Sequence, residues 1–283
     1  MYQRVQKKVM KHRLGVHIRM QESLHDVIKR ADFLNLPFFQ CFFVVQESGK
    51  LVTVTKDDAQ QFLAVNRSRF NDLFCHISYW VNLASLGNNG YTQLKREIAL
   101  AQRFGFNNFV LHPGTAKGAL DKKQGIDALA IALNNLFKRE HDITILLENT
   151  CHTNLAIGSD IRDFKQLLEK IDKPERIGFC IDTAHAYSFG HDIANISEQD
   201  AFISFLDATI GIDRIKLIHL NDTAERLGSY IDRHGIIGQG RIGIDALKAL
   251  VMHPQLQHVP LILELPDISA EEELVIVDTV RKW

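Results

Sequence analysis

Short apolar runs alternate with longer amphipathic segments along most of the chain. Each run is too short for a buried helix and is rich in Phe, Ile, Leu or Val, and this composition favours a buried β-strand. The eight predicted strands cover residues 14–18, 38–45, 73–79, 108–112, 143–148, 177–182, 215–220 and 260–264.

The segments that follow the strands have the periodicity of amphipathic helices. In the first of them, Leu24, Val27 and Ile28 lie three or four positions apart, which places their side chains on one helical face. The predicted helices cover residues 22–34, 57–70, 92–104, 125–137, 159–171, 197–210, 245–251 and 270–280.

This alternation predicts an α/β fold. Strands that alternate with helices pair in parallel through right-handed crossovers, and eight such units indicate a (β/α)8 TIM barrel. A doubly wound open sheet is the rival, but it often carries a Gly-rich turn after the first strand. Here the first strand ends His17-Ile18-Arg19 and no GxGxxG follows. We expect residues 1–283 to form a single domain, with a basic lead-in over residues 1–13.

Composition narrows the class of protein. The 33 Lys and Arg against 34 Asp and Glu give a net charge of −1, which excludes a uniformly basic nucleic-acid coat but not a local cation site. No apolar run approaches the roughly 18 residues that span a bilayer, and no long apolar segment follows the basic start. The cysteines are far apart, so we expect reduced core thiols, a cytoplasmic protein and no membrane partner.

Polar side chains cluster where the predicted strands end. The C-terminal ends of barrel strands converge on one mouth, which is where barrel enzymes keep their sites. Crowded carboxylates repel one another unless positive charge lies among them, and imidazole with carboxylate is the ligand mix of zinc, manganese or iron. The nine residues are His76, His112, Glu148, Asp182, His185, His219, Asp232, His234 and Glu264.

Local spacing supports a metal site with more than one ion. Asp182 and His185 are three residues apart at a strand-to-helix turn, and Asp232 and His234 form a DxH pair. Nine candidate ligands exceed the four or so that one zinc takes. The glycine-rich segment 237–243 is either a phosphate-binding loop, through its backbone N–H groups, or a tight connection only.

Together these motifs resemble the endonuclease IV family of apurinic/apyrimidinic (AP) endonucleases, which are three-zinc DNA-repair phosphodiesterases on a (β/α)8 barrel. The resemblance spans roughly residues 17–264. Its strongest blocks are LHPGT (111–115), LENT (147–150), CIDTAH (180–185), HLND (219–222), LGSYIDRH (227–234) and IGQG (237–240).

The resemblance implies three zinc ions, with manganese or iron as alternatives at one position. The implied ligand groups are His76, His112 and Glu148 for the first ion, Glu148, Asp182, His219 and Glu264 for the second, and His185, Asp232 and His234 for the third. Glu148 would bridge two ions that share the hydroxide nucleophile, which makes it the catalytic carboxylate. The implied reaction is hydrolysis on the 5′ side of an abasic nucleotide, in base-excision repair.

The resemblance also implies a partner, damaged duplex DNA, bound by a monomer. Tyr79 and Trp80 fall where the family places side chains that wedge into the opened duplex, although both could instead pack under a loop. Outside the ligand set the chain departs from the family pattern, so we expect weaker activity or specificity. The departures are Gln21-Glu22, residues 44–50 with a carboxylate, residues 151–154, Thr223-Ala224, Tyr230 and Leu265.

Three other functions remain open. A xylose-isomerase-like sugar isomerase or epimerase would use one divalent metal and would not need His185, Asp232 and His234. A phosphoesterase that acts on a non-DNA substrate would keep the same ligands. A barrel that keeps its metals without catalysis is the third alternative, and the complete ligand set disfavours it.

Overall fold

The chain folds into alternating strands and helices, described by a computed structural model for residues 14–20, 23–70, 72–87 and 90–283. The predicted basic lead-in, residues 1–13, and the Gln21-Glu22 pair lie outside the described residues. The lead-in and the effect of the Gln21-Glu22 departure therefore stay predictions, as does the assignment of residues 1–283 to one domain.

Within the described residues the elements are short strands and longer helices. The strands are β1 (Leu14–Val16), β2 (Phe39–Cys41), β3 (Val44–Val45), β4 (Lys50–Leu51), β5 (Leu73–His76), β6 (Asn108–Leu111), β7 (Thr144–Glu148), β8 (Ile177–Asp182), β9 (Ile215–His219) and β10 (Leu261–Leu263). The helices are α1 (Leu24–Phe33), α2 (Lys56–Arg69), α3 (Tyr91–Gln102), α4 (Lys122–Arg139), α5 (Arg162–Leu168), α6 (Thr183–Phe189), α7 (Ile196–Ile210), α8 (Ile244–Val251) and α9 (Ala270–Arg281).

Eight of the strands form one parallel sheet in the order β1-β10-β9-β8-β7-β6-β5-β2. A parallel bridge between His17 and Gln40 joins β1 to β2, the two ends of that order. The sheet therefore closes on itself as a barrel, and the prediction of a (β/α)8 TIM barrel is confirmed.

One local prediction was wrong, and one helix was not predicted. The predicted strand 38–45 breaks after Cys41, and Val44–Val45 pairs antiparallel with Lys50–Leu51, so that residues 44–51 form the β3–β4 hairpin. The break follows from packing, because Phe43 turns out of the barrel and stacks on Phe104. Helix α6 was not predicted, since its seven residues are almost all buried and show no amphipathic period.

A layer of side chains fills the barrel interior. It consists of Phe38, Phe74, Val110, Leu146, Cys180, Leu217 and Ile262, contributed by seven of the strands or the residue beside them. Strand β1 contributes Gly15, whose missing side chain leaves room for two neighbours. A Cβ built there would lie 2.8 Å from both Ile262 Cδ1 and Phe38 Cε2.

The cysteines belong to this buried structure. Cys41, Cys75, Cys151 and Cys180 are all free and buried, as expected. Burial raises the pKa of Cys180 to about 12, so its thiol stays protonated at neutral pH.

None of the helices in the described part of the chain is long and apolar enough to cross a membrane.

The interior layer predicts that Gly15→Ala destabilises the barrel. The added methyl group must displace Ile262 or Phe38 in a core without free space, which typically costs about 1–3 kcal/mol. Urea denaturation measures the free energy of unfolding. Gly235→Ala is the matched control, because the nearest heavy atom to a Cβ there lies at 3.5 Å. Equal unfolding midpoints for the two variants would contradict this account of the core.

Candidate metal centre

The barrel brings all nine predicted site residues to one mouth. His76, Glu148, Asp182 and His219 are the last residues of β5, β7, β8 and β9. His112 and Glu264 follow β6 and β10 directly, His185 lies on α6, and Asp232 and His234 lie on the loop after β9. The parallel arrangement explains this convergence, because every strand ends at the same rim.

The ligand atoms form three overlapping groups that could hold metal ions. In each group the candidate atoms all lie within 4.8 Å of one another. The groups are His76, His112 and Glu148; Glu148, Asp182, His219 and Glu264; and Asp182, His185 and His234. Glu148 and Asp182 each belong to two groups, so neighbouring groups share a carboxylate.

The two oxygens of Glu148 face different groups. Its Oε2 lies 3.1 Å from both His76 Nε2 and His112 Nε2, while its Oε1 lies 3.1 Å from His219 Nδ1. A carboxylate with this arrangement can bind one cation through each oxygen. The geometry is that of a bridge between the first two groups.

The third group lies around His185. Asp232 Oδ1 is 3.1 Å from His185 Nε2 and 3.6 Å from His234 Nε2. Asp182 also approaches, with its Oδ2 3.5 Å from His234 Nε2. The resemblance implied that His185, Asp232 and His234 form this group; Asp232 does lie beside both imidazoles, but the ligand atoms that lie close together as one group are those of Asp182, His185 and His234.

Backbone carbonyls fix which imidazole nitrogen faces the carboxylates. His76 Nδ1 donates to Ile77 O at 2.8 Å, and His185 Nδ1 donates to Asn149 O at 2.8 Å. In each ring Nε2 is then the free ligand atom. His185 Nε2 and His234 Nε2 are buried and make no well-aligned hydrogen bond, although Asp232 Oδ1 lies 3.1 Å from His185 Nε2. Imidazole nitrogens left in this way beside carboxylates fit a bound cation.

The charged groups at the centre shift one another's pKa. Burial alone would raise the pKa of Glu148, but His219 and His112 outweigh it and hold that pKa well below its usual value. Burial alone would lower the pKa of His185, but the carboxylates of Asp182 and Asp232 outweigh it and hold that pKa well above its usual value. Glu148 is therefore ionised and attracts cations, and a metal ion bound beside His185 would displace the proton of that imidazole.

Gln40 orients two of these groups, and the sequence-based search missed it. Its Nε2 donates to Glu264 Oε1 at 2.8 Å, and its Oε1 accepts from His219 Nε2 at 3.0 Å. Because the amide nitrogen must face the carboxylate, the amide cannot flip. The ring of His219 is thereby fixed with Nδ1 toward Glu148 and Glu264. A lone amide inside an apolar strand was the signal in the sequence.

Two asparagines and a histidine complete the surroundings of the ligands. Asn221 Nδ2 donates to Asp182 Oδ2 at 2.6 Å, and Asn149 Oδ1 accepts from Asp182 N at 2.7 Å. His17, whose side chain is 7% exposed, accepts from Gln40 Nε2 at 2.8 Å through Nδ1. The sequence did offer a sign of the asparagines, because both lie one or two residues after a predicted ligand.

The glycine-rich segment 237–243 does not present its N–H groups to a phosphate. Gly238 N and Gly240 N donate to Asp222 Oδ2 at 3.0 and 3.1 Å, and Ile242 N donates to Asp222 Oδ1 at 3.1 Å. The phosphate-binding alternative was therefore wrong. The loop instead encloses a buried carboxylate, which the sequence did not reveal because Asp222 lies sixteen residues before Gly238.

Two aromatic residues stand on the rim of the mouth. Tyr79 and Trp80 are 60% and 56% exposed, so neither is buried, although Trp80 also contacts the β3–β4 hairpin. The ring of Tyr79 lies 5.2 Å from the ring of His112. Beside it a cavity of about 290 Å³ opens, and its lining includes Arg19, Arg233 and His234.

Comparisons with known proteins agree with this architecture. The family model described as "Xylose isomerase-like TIM barrel" matches residues 34–283. A protein named "Probable endonuclease 4" from Methanosphaera stadtmanae is 32% identical over 267 residues, which cover 92% of this chain and 95% of that protein. One of the same name from Thermoplasma volcanium is 34% identical over 268 residues, covering 93% and 92%.

Solved structures give the same relationship. Endonuclease IV from Thermus thermophilus has a TM-score of 0.83 and 25% sequence identity, covering 96% of this chain and 98% of that chain. A D-tagatose 3-epimerase-like protein has a TM-score of 0.69 at 18% identity, covering 95% and 96%, which shows a shared fold alone. The predicted family is thus confirmed: the chain belongs to the endonuclease IV family of hydrolases within the xylose isomerase-like TIM barrels.

Proposed function

We propose that this chain is an AP endonuclease that hydrolyses duplex DNA on the 5′ side of abasic nucleotides, leaves a 3′-hydroxyl and acts in base-excision repair. The observation that carries the proposal is the set of three overlapping ligand groups joined through Glu148 and Asp182. A phosphodiester is anionic and resists attack, so its hydrolysis needs concentrated positive charge.

The ligand types favour zinc at three positions. Imidazoles dominate the first and third groups, and imidazole suits zinc. The second group has three carboxylates and one imidazole, and there manganese or iron is an alternative. When bound, zinc supplies Lewis acidity, which neutralises phosphate oxygens and lowers the pKa of water toward about 7.

The chain's own residues hold and orient that centre. Glu148 keeps the first two groups at a fixed separation, and Gln40 and Asn221 hold Glu264 and Asp182 in place through their amides. The exposed rim of Tyr79 and Trp80 meets the duplex, where aromatic rings can stack in the gap left by an extruded nucleotide.

Basic residues at the mouth are already engaged in ion pairs. Arg19 pairs with Asp267, and Arg233 Nη1 lies 3.2 Å from Glu225 Oε1. Nucleic-acid affinity comes mostly from Lys and Arg contacts to phosphates. Paired arginines, together with Glu47 on the β3–β4 hairpin, support the expectation of weaker DNA binding than is usual in the family.

A sugar isomerase or epimerase is the second candidate. The second ligand group alone, with three carboxylates and a histidine, is enough for a one-metal centre of that kind. The first and third groups would then have no role. Each of those two groups has three ligand residues at the same mouth. A hydrolase that uses all three groups therefore explains the site better than an isomerase does.

The deciding experiment compares substrates with the zinc-reconstituted protein. We expect cleavage of a duplex with one abasic site, little cleavage of undamaged duplex, and more than one bound metal ion per chain by elemental analysis. Cleavage of a nitrophenyl phosphodiester without cleavage of either DNA would leave a phosphoesterase with another substrate. Interconversion of free sugars as the sole reaction would establish the isomerase.

Glu148→Gln should abolish hydrolysis while the barrel stays folded. An amide cannot bind two cations through two anionic oxygens, so the loss of turnover should exceed the roughly 10- to 100-fold effect of substitutions behind the ligands. Steady-state kinetics and circular dichroism measure the two properties. Unchanged turnover would rule out the bridging role.

Gln40→Leu should weaken metal binding without removing a ligand. It deprives His219 of its acceptor and Glu264 of a donor, and the loss of such a partner lowers metal affinity by about 10- to 100-fold. Chelator competition measures the affinity. Gln255→Leu, at an exposed position away from the mouth, is the control. Equal affinity in the two variants would refute the orienting role of Gln40.

A further inference from the structure

We infer that the two rim aromatics divide their work: Trp80 is a positioning residue that holds the β3–β4 hairpin beside the mouth, and Tyr79 alone stacks in the opened duplex. This inference rests on the proposed function and deepens it, because it names the residue that would stack in the gap left by the extruded nucleotide. It follows from the contacts that each ring makes.

Both an edge and a face of the Trp80 indole contact the β3–β4 hairpin. Its Nε1–H donates to Gln46 O at 2.7 Å. Gly49 packs against the indole, since a Cβ built there would lie 3.0 Å from Trp80 Cδ1 and Cγ. Gly49 also has φ +65°, which favours glycine, so the turn of the hairpin is shaped to receive the ring. Insertion of the indole between bases would break these contacts.

The hairpin is also held from the side of α3. Gln93 Nε2 donates to Gly49 O at 3.1 Å and to Glu97 Oε1 at 2.9 Å. Glu97 in turn accepts from Ser78 N at 2.9 Å and from Ser78 Oγ. Ser78 directly precedes Tyr79. A continuous chain of hydrogen bonds therefore joins the turn of the hairpin to Ser78, the residue before Tyr79.

Tyr79 is held differently. Its ring makes edge contacts to Phe42 at 5.8 Å and to His112 at 5.2 Å between ring centroids. It stands 60% exposed beside the first ligand group. The exposed part of the ring is accessible to a base, and the contacts to His76 and His112 keep it close to the phosphodiester that the centre would bind.

The sequence offers a direct reporter, because Trp80 and Trp283 are its only tryptophans. In the Trp283→Phe protein, all indole emission comes from Trp80. We titrate this zinc-loaded protein with a duplex that carries one reduced abasic site. If Trp80 stays on the hairpin, its emission remains near that of the free protein. Strong quenching by stacked bases would overturn the inference.

Three variants separate the two roles by affinity for the same duplex. Tyr79→Ala should weaken binding by about 5- to 150-fold, the loss expected for one base–aromatic stack. Trp80→Phe keeps a stacking ring but loses the donor to Gln46, and should weaken binding by about 2- to 12-fold, as for one hydrogen bond. Gln93→Leu should have a similar effect, and the two substitutions together should be no worse than either alone. Full additivity, or no effect of Trp80→Phe, would contradict the positioning role.

A measurement without DNA keeps this inference separate from the proposed function. Gln93→Leu in the Trp283→Phe background should shift Trp80 emission to longer wavelength, because a loosened hairpin exposes the indole. Binding and cleavage of abasic duplex by the unmodified chain test the proposed function itself. If that chain does not bind or cleave abasic duplex, the proposed function fails, while an unshifted emission maximum contradicts the inferred coupling of Trp80 to the hairpin that Gln93 holds.

Discussion

The carboxylate of Glu148 is the interaction on which the mouth of the barrel depends. It is fully buried at the end of β7 and lies within 3.1 Å of imidazole nitrogens from three other strands. A buried charge of this kind is costly unless it is paired on every side. The barrel supplies the partners through strand order alone, because β5, β6 and β9 end at the same level around β7. The amides of Asn149, Asn221 and Gln40 then adjust the outer ligands to that centre.

Much of the fold and the ligand set could be predicted because both depend on local pattern. Buried parallel strands are continuous apolar runs, and a ligand at the end of such a run stands out as His112 and Glu148 do. The family resemblance grouped the first two ligand sets as the side chains lie, whereas in the third group of the structure Asp182 stands where the resemblance implied Asp232. The prediction failed where packing decided the outcome, as at Phe43, which leaves the barrel for an aromatic cluster and ends β2 early.

Residues that act through others were harder to find. Gln40 and Asp222 are single polar residues whose partners lie far along the chain, on β9 and in the segment 237–243. No periodicity or spacing marks such pairs. The glycines of that segment did predict a close backbone approach, but the group approached is a side chain of the protein itself. Charge and pattern alone could not distinguish an internal carboxylate from an external phosphate.

The enclosure of Asp222 has a consequence for how cations would be acquired. Thr223 Oγ1 donates to Arg233 O at 2.8 Å, and Gly235 N donates to Asp222 O at 2.7 Å, so the segment with Asp232 and His234 is tied to the same carboxylate-centred loop. The entropy of ordering this segment is thus spent when the chain folds. A cation bound by the proposed group at His234 would meet a preorganised site, and its affinity would not be reduced by the cost of arranging a flexible loop.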